Sequence, residues 1–280
     1  MRNKCFVYII CVFILLTGIC KLYLYNFQRG IIVHAMGNYN GLKYSNSLEA
    51  FKKSYKSGYR NFETDLVVTN DYKIVLFHRY NKNIYSLFKI DKKDFSYNDF
   101  MSGKVFSNLD MSITPLDLKD LVDLMRKYKN LKIMLHIHSK NRPKITDFVL
   151  NELIKEIGDD KELYKKFSVG VNFPEELEIL KNKKEIVNIH YYIRSREKRP
   201  KDLTEISDII NYLRDNNIKI VSIPIEVVLD NPDEVKKLKE NNILIYSFAS
   251  NDISKINMMH KLGVDIVGSD LLFKNKEADL

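Results

Sequence analysis

Asn61-Phe62-Glu63-Thr64-Asp65-Leu66-Val67 is the stretch on which the fold turns. A β-strand sends alternate side chains to opposite faces. Glu63 and Asp65 therefore point one way, and Phe62, Thr64 and Leu66 the other. The second face is too apolar for a solvated edge. The first carries two carboxylates side by side, and such a pair repels itself unless a cation sits between them. Oxygen donors of this kind suit a hard ion such as Mg²⁺ or Ca²⁺.

Two neighbouring apolar runs each end in a histidine: Ile31-Ile32-Val33-His34 and Ile74-Val75-Leu76-Phe77-His78. Each imidazole is a group able to give or take a proton near neutral pH. Further along, eight strands are predicted: Ile31–Ala35, Asn61–Val67, Lys132–His138, Phe167–Val171, Ile186–Tyr192, Ile218–Pro224, Ile243–Phe248 and Asp265–Ser269. Amphipathic helical patterns separate most of them: Ser47–Lys56, Pro115–Tyr128, Lys144–Ile157, Glu175–Lys181, Thr204–Asn216, Pro232–Glu240 and Ile253–Leu262. Strands alternating with helices eight times predict an α/β fold, a (β/α)₈ TIM barrel, whose active site would lie at the C-terminal ends of the strands. An open doubly wound sheet is the competing architecture, but no Gly-x-Gly-x-x-Gly supports a dinucleotide site. The segment between His78 and Pro115 is long for a barrel loop and reads as an insertion after the second strand.

The chain has 280 residues, 45% of them hydrophobic, and a formal net charge of +9. The lysines are spread along helix faces and loops, as at Lys52, Lys53 and Lys56, without interleaved aromatics, so no nucleic-acid partner is expected. A diffuse positive surface suits phosphate or anionic-lipid substrates better. The three cysteines, Cys5, Cys11 and Cys20, precede the body, which therefore holds no disulfide. Residues 5–20 are apolar apart from Thr17 and Gly18, with Arg2 and Lys4 before them and Lys21 after. Residues 1–26 thus read as an N-terminal hydrophobic helix, a signal anchor holding residues 27–280 outside the cytoplasm at a membrane, or as a cleaved signal peptide of a secreted protein.

The residues around the carboxylate pair carry a resemblance. His34-Ala35-Met36-Gly37, Asn46-Ser47-Leu48-Glu49-Ala50-Phe51, Gly58, Phe62-Glu63-Thr64-Asp65-Leu66, Thr69, Asp71 and Val75-Leu76-Phe77-His78 follow in order. The set resembles the glycerophosphodiester phosphodiesterase family, with its His-Arg-Gly, Asn-Thr-Leu-Glu-Ala-Phe, Glu-x-Asp and His-Asp motifs. The His-Ala-x-Gly start is similar to a divergent branch of that family. The resemblance is dense over residues 33–78 and thins to strand-end motifs up to about residue 273.

It implies a metal-dependent phosphodiesterase. His34 and His78 would be the acid and base, and Glu63 and Asp65 two metal ligands. The family's third strand ends in Glu-x-Lys, or Asp-x-Lys in the divergent branch. Here Ile137-His138-Ser139-Lys140 puts His138 in the carboxylate position and Lys140 in that of the lysine. Imidazole is a poor ligand for Ca²⁺, so Mg²⁺ or Mn²⁺ is the expected cofactor. Ala35 replaces the phosphate-holding arginine of the family, and Arg79, where the family has aspartate, is the candidate to supply that contact. Phe248 stands where a tryptophan often ends strand seven, and is expected either to face the leaving group or to pack in the core. The family's insertion lies over the barrel mouth, so Tyr80, Tyr85, Phe88 and Phe95 are expected either to line a substrate entrance or to form a small lobe of their own. Asn46 and Glu49 read as a helix cap and capping box, His136 as a packed core residue, and Asp270 as a helix or turn cap.

The expected substrate is a small-molecule or lipid-derived phosphodiester. Two readings compete with the glycerophosphodiesterase. One is a phospholipase of the phosphatidylinositol-specific or sphingomyelinase D type. The other is a barrel that binds phosphorylated ligands without turnover, which Ala35, Ser45, Arg79 and His138 would favour.

Overall fold

The computed structural model describes residues 30–78, 95–102, 112–138 and 142–270. The chain falls into two compact units, Met1–Ile31 and Ile32–Leu280. The first lies almost wholly outside the described residues, and with it the hydrophobic segment expected over residues 1–26. Among the described residues no helix is long and apolar enough to cross a membrane.

The strands are β1 (Ile31–Val33), β2 (Asn61–Val68), β3 (Ile74–Leu76), β4 (Lys132–His138), β5 (Phe167–Val171), β6 (Ile189–Tyr192), β7 (Ile220–Pro224), β8 (Leu244–Phe248) and β9 (Ile266–Ser269). They form one sheet in the order β1-β9-β8-β7-β6-β5-β4-β2-β3, and a β1–β2 pairing closes it. All eight predicted strands are present, most of them shorter by a residue or more at one end, and together they make the parallel barrel. The ninth, β3, folds back antiparallel along β2, with Leu66 opposite Leu76 and Val68 opposite Ile74.

The helices are α1 (Leu48–Lys56), α2 (Tyr97–Ser102), α3 (Leu118–Lys127), α4 (Arg142–Ile157), α5 (Lys161–Tyr164), α6 (Pro174–Lys181), α7 (Ile206–Asp215), α8 (Ile225–Asp230), α9 (Pro232–Glu240) and α10 (Ile253–Lys261). Their starts follow from local chemistry. Asp117 and Asp120 close a reciprocal capping box on α3, and Pro174 and Pro232 open α6 and α9. Helix α3 buries Leu118, Leu121, Val122, Leu124 and Met125, the spacing of one helical face.

Strand alternation sorts the barrel's two cores. Outside β2, Phe62 is fully buried and meets Phe51 of α1 with ring centroids 5.1 Å apart. Truncating such a ring to alanine costs about 3–5 kcal/mol. Inside, Ile32, Met134 and Tyr246 pack together, with Phe248 and Ile266 against them. Beside the barrel, Val67, Val75, Phe77, Phe95, Phe100 and Ile113 make a separate small core. Phe95 thus belongs to a packed lobe rather than to a substrate entrance. Tyr80, Tyr85 and Phe88 lie outside the described residues.

Strand β1 stops two residues earlier than expected. Ala35 and Met36 take left-handed φ values of 46° and 65°, which a strand cannot accommodate, and His34–Met36 form a 3₁₀ turn. Gly37 ends that turn at φ 102°. A Cβ there would lie 2.4 Å from Ser54 Oγ, so glycine is required both by conformation and by space.

Candidate active site

The groups with chemistry converge at the C-terminal ends of the strands. The tight turn after β1 aims His34 over the barrel and turns the Ala35 N–H inward, where it donates to Glu63 Oε2 at 2.9 Å. Glu63 and Asp65 both face the interior from β2 and are 3% and 1% exposed. Asn46 lies beside them. Its Oδ1 accepts from Thr64 Oγ1 at 2.8 Å, and its Nδ2 donates to Asp65 Oδ2 at 3.3 Å. The residue that caps α1 is Ser47, whose Oγ accepts from the Ala50 N–H. Glu49 accepts from the Thr114 backbone and hydroxyl, each at 2.7 Å, tying α1 to the segment before α3. Neither Asn46 nor Glu49 is therefore the cap expected of it. Asn46 is an orienting partner of Asp65.

The second oxygen of Asp65 faces two histidines. His138 Nε2 donates to Asp65 Oδ1 at 2.6 Å, and His136 Nδ1 lies 3.4 Å from the same atom. The β2–β4 register explains this: Asp65 is paired directly with His136, and Val67 with His138. His136, one layer below His138 as expected, is therefore level with the carboxylate, which the core role expected of it did not include. Its ring stacks on Tyr192 at 4.7 Å and 27°.

His34 has a partner that strand order alone concealed. Its Nδ1 donates to Asp270 Oδ1 at 2.8 Å. Asn251 fixes that aspartate, donating from Nδ2 to Oδ2 at 2.9 Å and accepting the Asp270 N–H at Oδ1, also at 2.9 Å. Asp270 thus orients an imidazole instead of merely capping a turn. His34 and His78 face each other with ring centroids 6.0 Å apart, and Tyr44 sits edge-on to His34 at 5.1 Å and 4.8 Å from His78.

Charge and burial push these groups apart. Burial would lower the pKa of His34, but Glu63, Asp270 and Asp65 outweigh it and raise it to about 9. Burial lowers that of His78, with Asp65 opposing. Glu63, desolvated and beside Asp65, is pushed up to about 8. Asp65 is equally buried, yet the charge of His138 and hydrogen bonds from both histidines of β4 hold its carboxyl well below the usual range.

The donor set fits a divalent cation. One ligand atom each from Glu63, Asp65 and His136 lies within 4.8 Å of the others, and the same holds for Asp65, His78 and His138. A cation would offset the burial and the Asp65 repulsion that together drive Glu63 to hold a proton. Beside this cluster opens a cleft of about 470 Å³, lined by His136, His138, Tyr192, Arg194, Lys198 and Phe248 among others. Phe248 lies on that cavity next to the histidines and also packs against the inner core of Ile32, Met134 and Tyr246. Lys140 and Arg79 lie outside the described residues.

A closed (β/α)₈ barrel with acidic and imidazole groups at the strand ends is the layout of a barrel enzyme with its site at the C-terminal face. Residues 35–272 match the model of the glycerophosphoryl diester phosphodiesterase family. The chain belongs to that family, and is a phosphoric diester hydrolase. Solved structures agree on the fold. A candidate glycerophosphodiester phosphodiesterase of Galdieria sulphuraria is 20% identical with a TM-score of 0.67, covering 86% of this chain and 93% of its own. The glycerophosphodiester phosphodiesterase of Thermotoga maritima is 18% identical with a TM-score of 0.60, covering 87% and 95%. An Oleispira antarctica phosphodiesterase, solved with the product sn-glycerol-3-phosphate, is 15% identical with a TM-score of 0.59, covering 88% and 94%. A search of curated protein sequences finds no match.

Proposed function

We propose that this protein hydrolyses a glycerophosphodiester, free or lipid-derived, with a divalent metal ion at Glu63, Asp65 and His138 and with His34 and His78 sharing the proton transfers. The observation that carries the reading is the pair of facing imidazoles, 6.0 Å apart, with opposite protonation preferences. A bound ion supplies electrostatic stabilisation of the charge on the phosphate oxygens. His34, kept charged by Glu63 and Asp270, is the acid that gives its Nε2 proton to the departing alcohol oxygen. His78, kept neutral by burial, is the base that takes a proton from the attacking hydroxyl. That hydroxyl belongs to water or to the substrate itself. Phe248 and Tyr192, on the cleft, pack the leaving group, and Arg79 and Lys140 are the candidates for contact with the phosphate. Mg²⁺ or Mn²⁺ is the ion proposed in preference to Ca²⁺ because a nitrogen donor is present.

The family membership supports the phosphodiester substrate, as does the glycerol phosphate product found in the Oleispira relative. Localisation follows the sequence reading: residues 1–26 anchor the barrel outside the cytoplasm, or are cleaved to release it. A chelator-stripped preparation of the full-length chain, screened over glycerophosphodiesters and phospholipids with Mg²⁺, Mn²⁺ and Ca²⁺ restored in turn, tests the proposal. Turnover of a glycerophosphodiester that returns with Mn²⁺ or Mg²⁺ is expected. Turnover indifferent to chelator would remove the metal. Turnover confined to intact phospholipids would favour the phospholipase reading, and none with any substrate the binding barrel.

A further inference from the structure

The register of β2 against β4 leaves one imidazole that the reaction above does not use. His136 pairs with Asp65 across the strands, and its Nδ1 approaches Asp65 Oδ1 to 3.4 Å. Together with Glu63 these residues bring three donor atoms within 4.8 Å of one another. Protein ligands stand about 2.0–2.2 Å from a transition-metal ion, so donors of one ion lie up to roughly 4.4 Å apart, and small side-chain rotations close the remaining gap. The plane of the ring is already set by the stack on Tyr192, at 27°. The carboxylate is set by Asn46 on its far oxygen. His136 is also partly open, with a side-chain exposure of 21%, and it lines the 470 Å³ cleft. A core histidine that served packing alone would not turn a nitrogen towards two buried carboxylates at the solvent-reached end of a barrel.

We propose that His136 is a direct ligand of the metal ion, forming the centre with Glu63 and Asp65 in the place expected for His138. Two carboxylates and an imidazole define a donor set for a borderline transition ion, Zn²⁺ or Mn²⁺, rather than for Ca²⁺, which takes oxygen donors, or Mg²⁺, which favours oxygen and water. This inference rests on the proposed metal site at Glu63 and Asp65 and moves the preferred ion from Mg²⁺ towards Mn²⁺ or Zn²⁺. It also leaves His78 free for proton transfer. The rival arrangement, Asp65 with His78 and His138, would take His78 out of that role.

The test reads binding, not turnover. The full-length chain is stripped with chelator and titrated with Co²⁺, followed by visible absorption, and with Zn²⁺, followed by displacement of Co²⁺. Wild type, His136→Gln and His78→Gln are compared, glutamine preserving polarity and much of the volume. The expected result is that His136→Gln loses the Co²⁺ band and weakens Zn²⁺ binding by at least the ~10–100-fold that an outer-shell partner is worth. Mg²⁺ binding in that variant should be little changed, and His78→Gln should keep the band. As a measurement independent of any variant, the ring-nitrogen resonances of His136 in the wild-type chain should shift with Zn²⁺. An unchanged Co²⁺ band in His136→Gln, or loss of the band in His78→Gln alone, would overturn the assignment. Tight Zn²⁺ binding through His136 without phosphodiester turnover would sink the proposed function and leave this inference standing. Metal-dependent turnover unaffected in binding by His136→Gln would do the reverse.

Discussion

His34 Nδ1 and Asp270 Oδ1 meet at 2.8 Å, joining residues 236 positions apart across the closure of the barrel. The contact leaves Nε2 as the nitrogen nearer the carboxylate pair, 3.8 Å from Glu63 Oε2. It also favours the charged ring, because Asp270 is itself held ionised by His34 and Asn251 against its burial.

Asp270→Asn should therefore lower kcat by about 10²–10³, within the usual weight of general acid–base catalysis, with KM little changed. The sign of the accompanying pH shift is fixed. With His34 as the proposed acid, removing Asp270 lowers its pKa, so the alkaline limb of the kcat profile should move to lower pH. A purely structural role would lower thermal stability and leave that limb in place. Asn251→Ala should shift the limb in the same direction by less.

His34→Ala and His78→Ala should each lower kcat by about 10²–10⁴. A nitrophenyl phosphodiester, whose leaving group needs no proton, should restore much of the rate to His34→Ala and little to His78→Ala. The reverse pattern would exchange their roles. Full activity in either variant would remove that histidine from the chemistry.

The barrel was legible in the chain because each strand pairs an apolar outward face with a turn or helix signal, and Ile31, Phe62 and Ile133 all obey that pattern. The carboxylate pair was legible for the same reason, since a spacing of two fixes a shared face. What depends on interstrand register was not. Nothing in Ile133-Met134-Leu135-His136 says that His136 lies level with Asp65. Nor could the local sequence show Asp270 reaching His34, a contact made only when β9 closes against β1. Asn46 misled for a local reason. It precedes a helix by the right interval, but its φ of 47° turns the chain so that Ser47 caps instead.

Two raised pKa values predict how the chelated protein responds to pH. His34 rises from 6.5 to about 9, so its contribution to stability is complete below 6.5 and is lost as pH climbs through about 9. Glu63 rises from 4.5 to about 8, so its contribution is complete below 4.5 and disappears through about 8. Asp65 and Asp270 are lowered, and theirs is lost only below the ordinary 3.8. Buried His190, held down to about 3, and His78, also lowered, act in the opposite sense up to pH 6.5 and offset Glu63 there, so the melting temperature in EDTA should fall mainly between about pH 6.5 and about pH 9. Saturating Mn²⁺ should flatten the lower part of that slope, because the ion replaces the proton on Glu63 and releases it to buffer. A flat profile in EDTA would mean that the carboxylates and imidazoles do not share charge as described.

Gly37 tests whether the turn after β1 is a functional part or a passive link. At φ 102° an alanine is strained, and its Cβ would fall 2.4 Å from Ser54 Oγ and 3.0 Å from Val33 Cγ1. Ser54 cannot simply rotate away, because its hydroxyl donates to Met36 O at 3.0 Å and to Ala50 O at 2.8 Å, tying the turn to α1. Gly37→Ala should destabilise by about 1–3 kcal/mol from backbone strain, with the clash added. Activity should fall further than that loss explains at temperatures where the variant is fully folded, since the same turn aims His34 and presents the Ala35 N–H to Glu63. Adding Ser54→Ala should relieve the clash but not the strain, recovering part of the stability at the cost of roughly 1 kcal/mol per lost hydrogen bond. The double variant should stay catalytically impaired. Recovery of full kcat with stability would show that the turn only needs to exist, not to hold this shape.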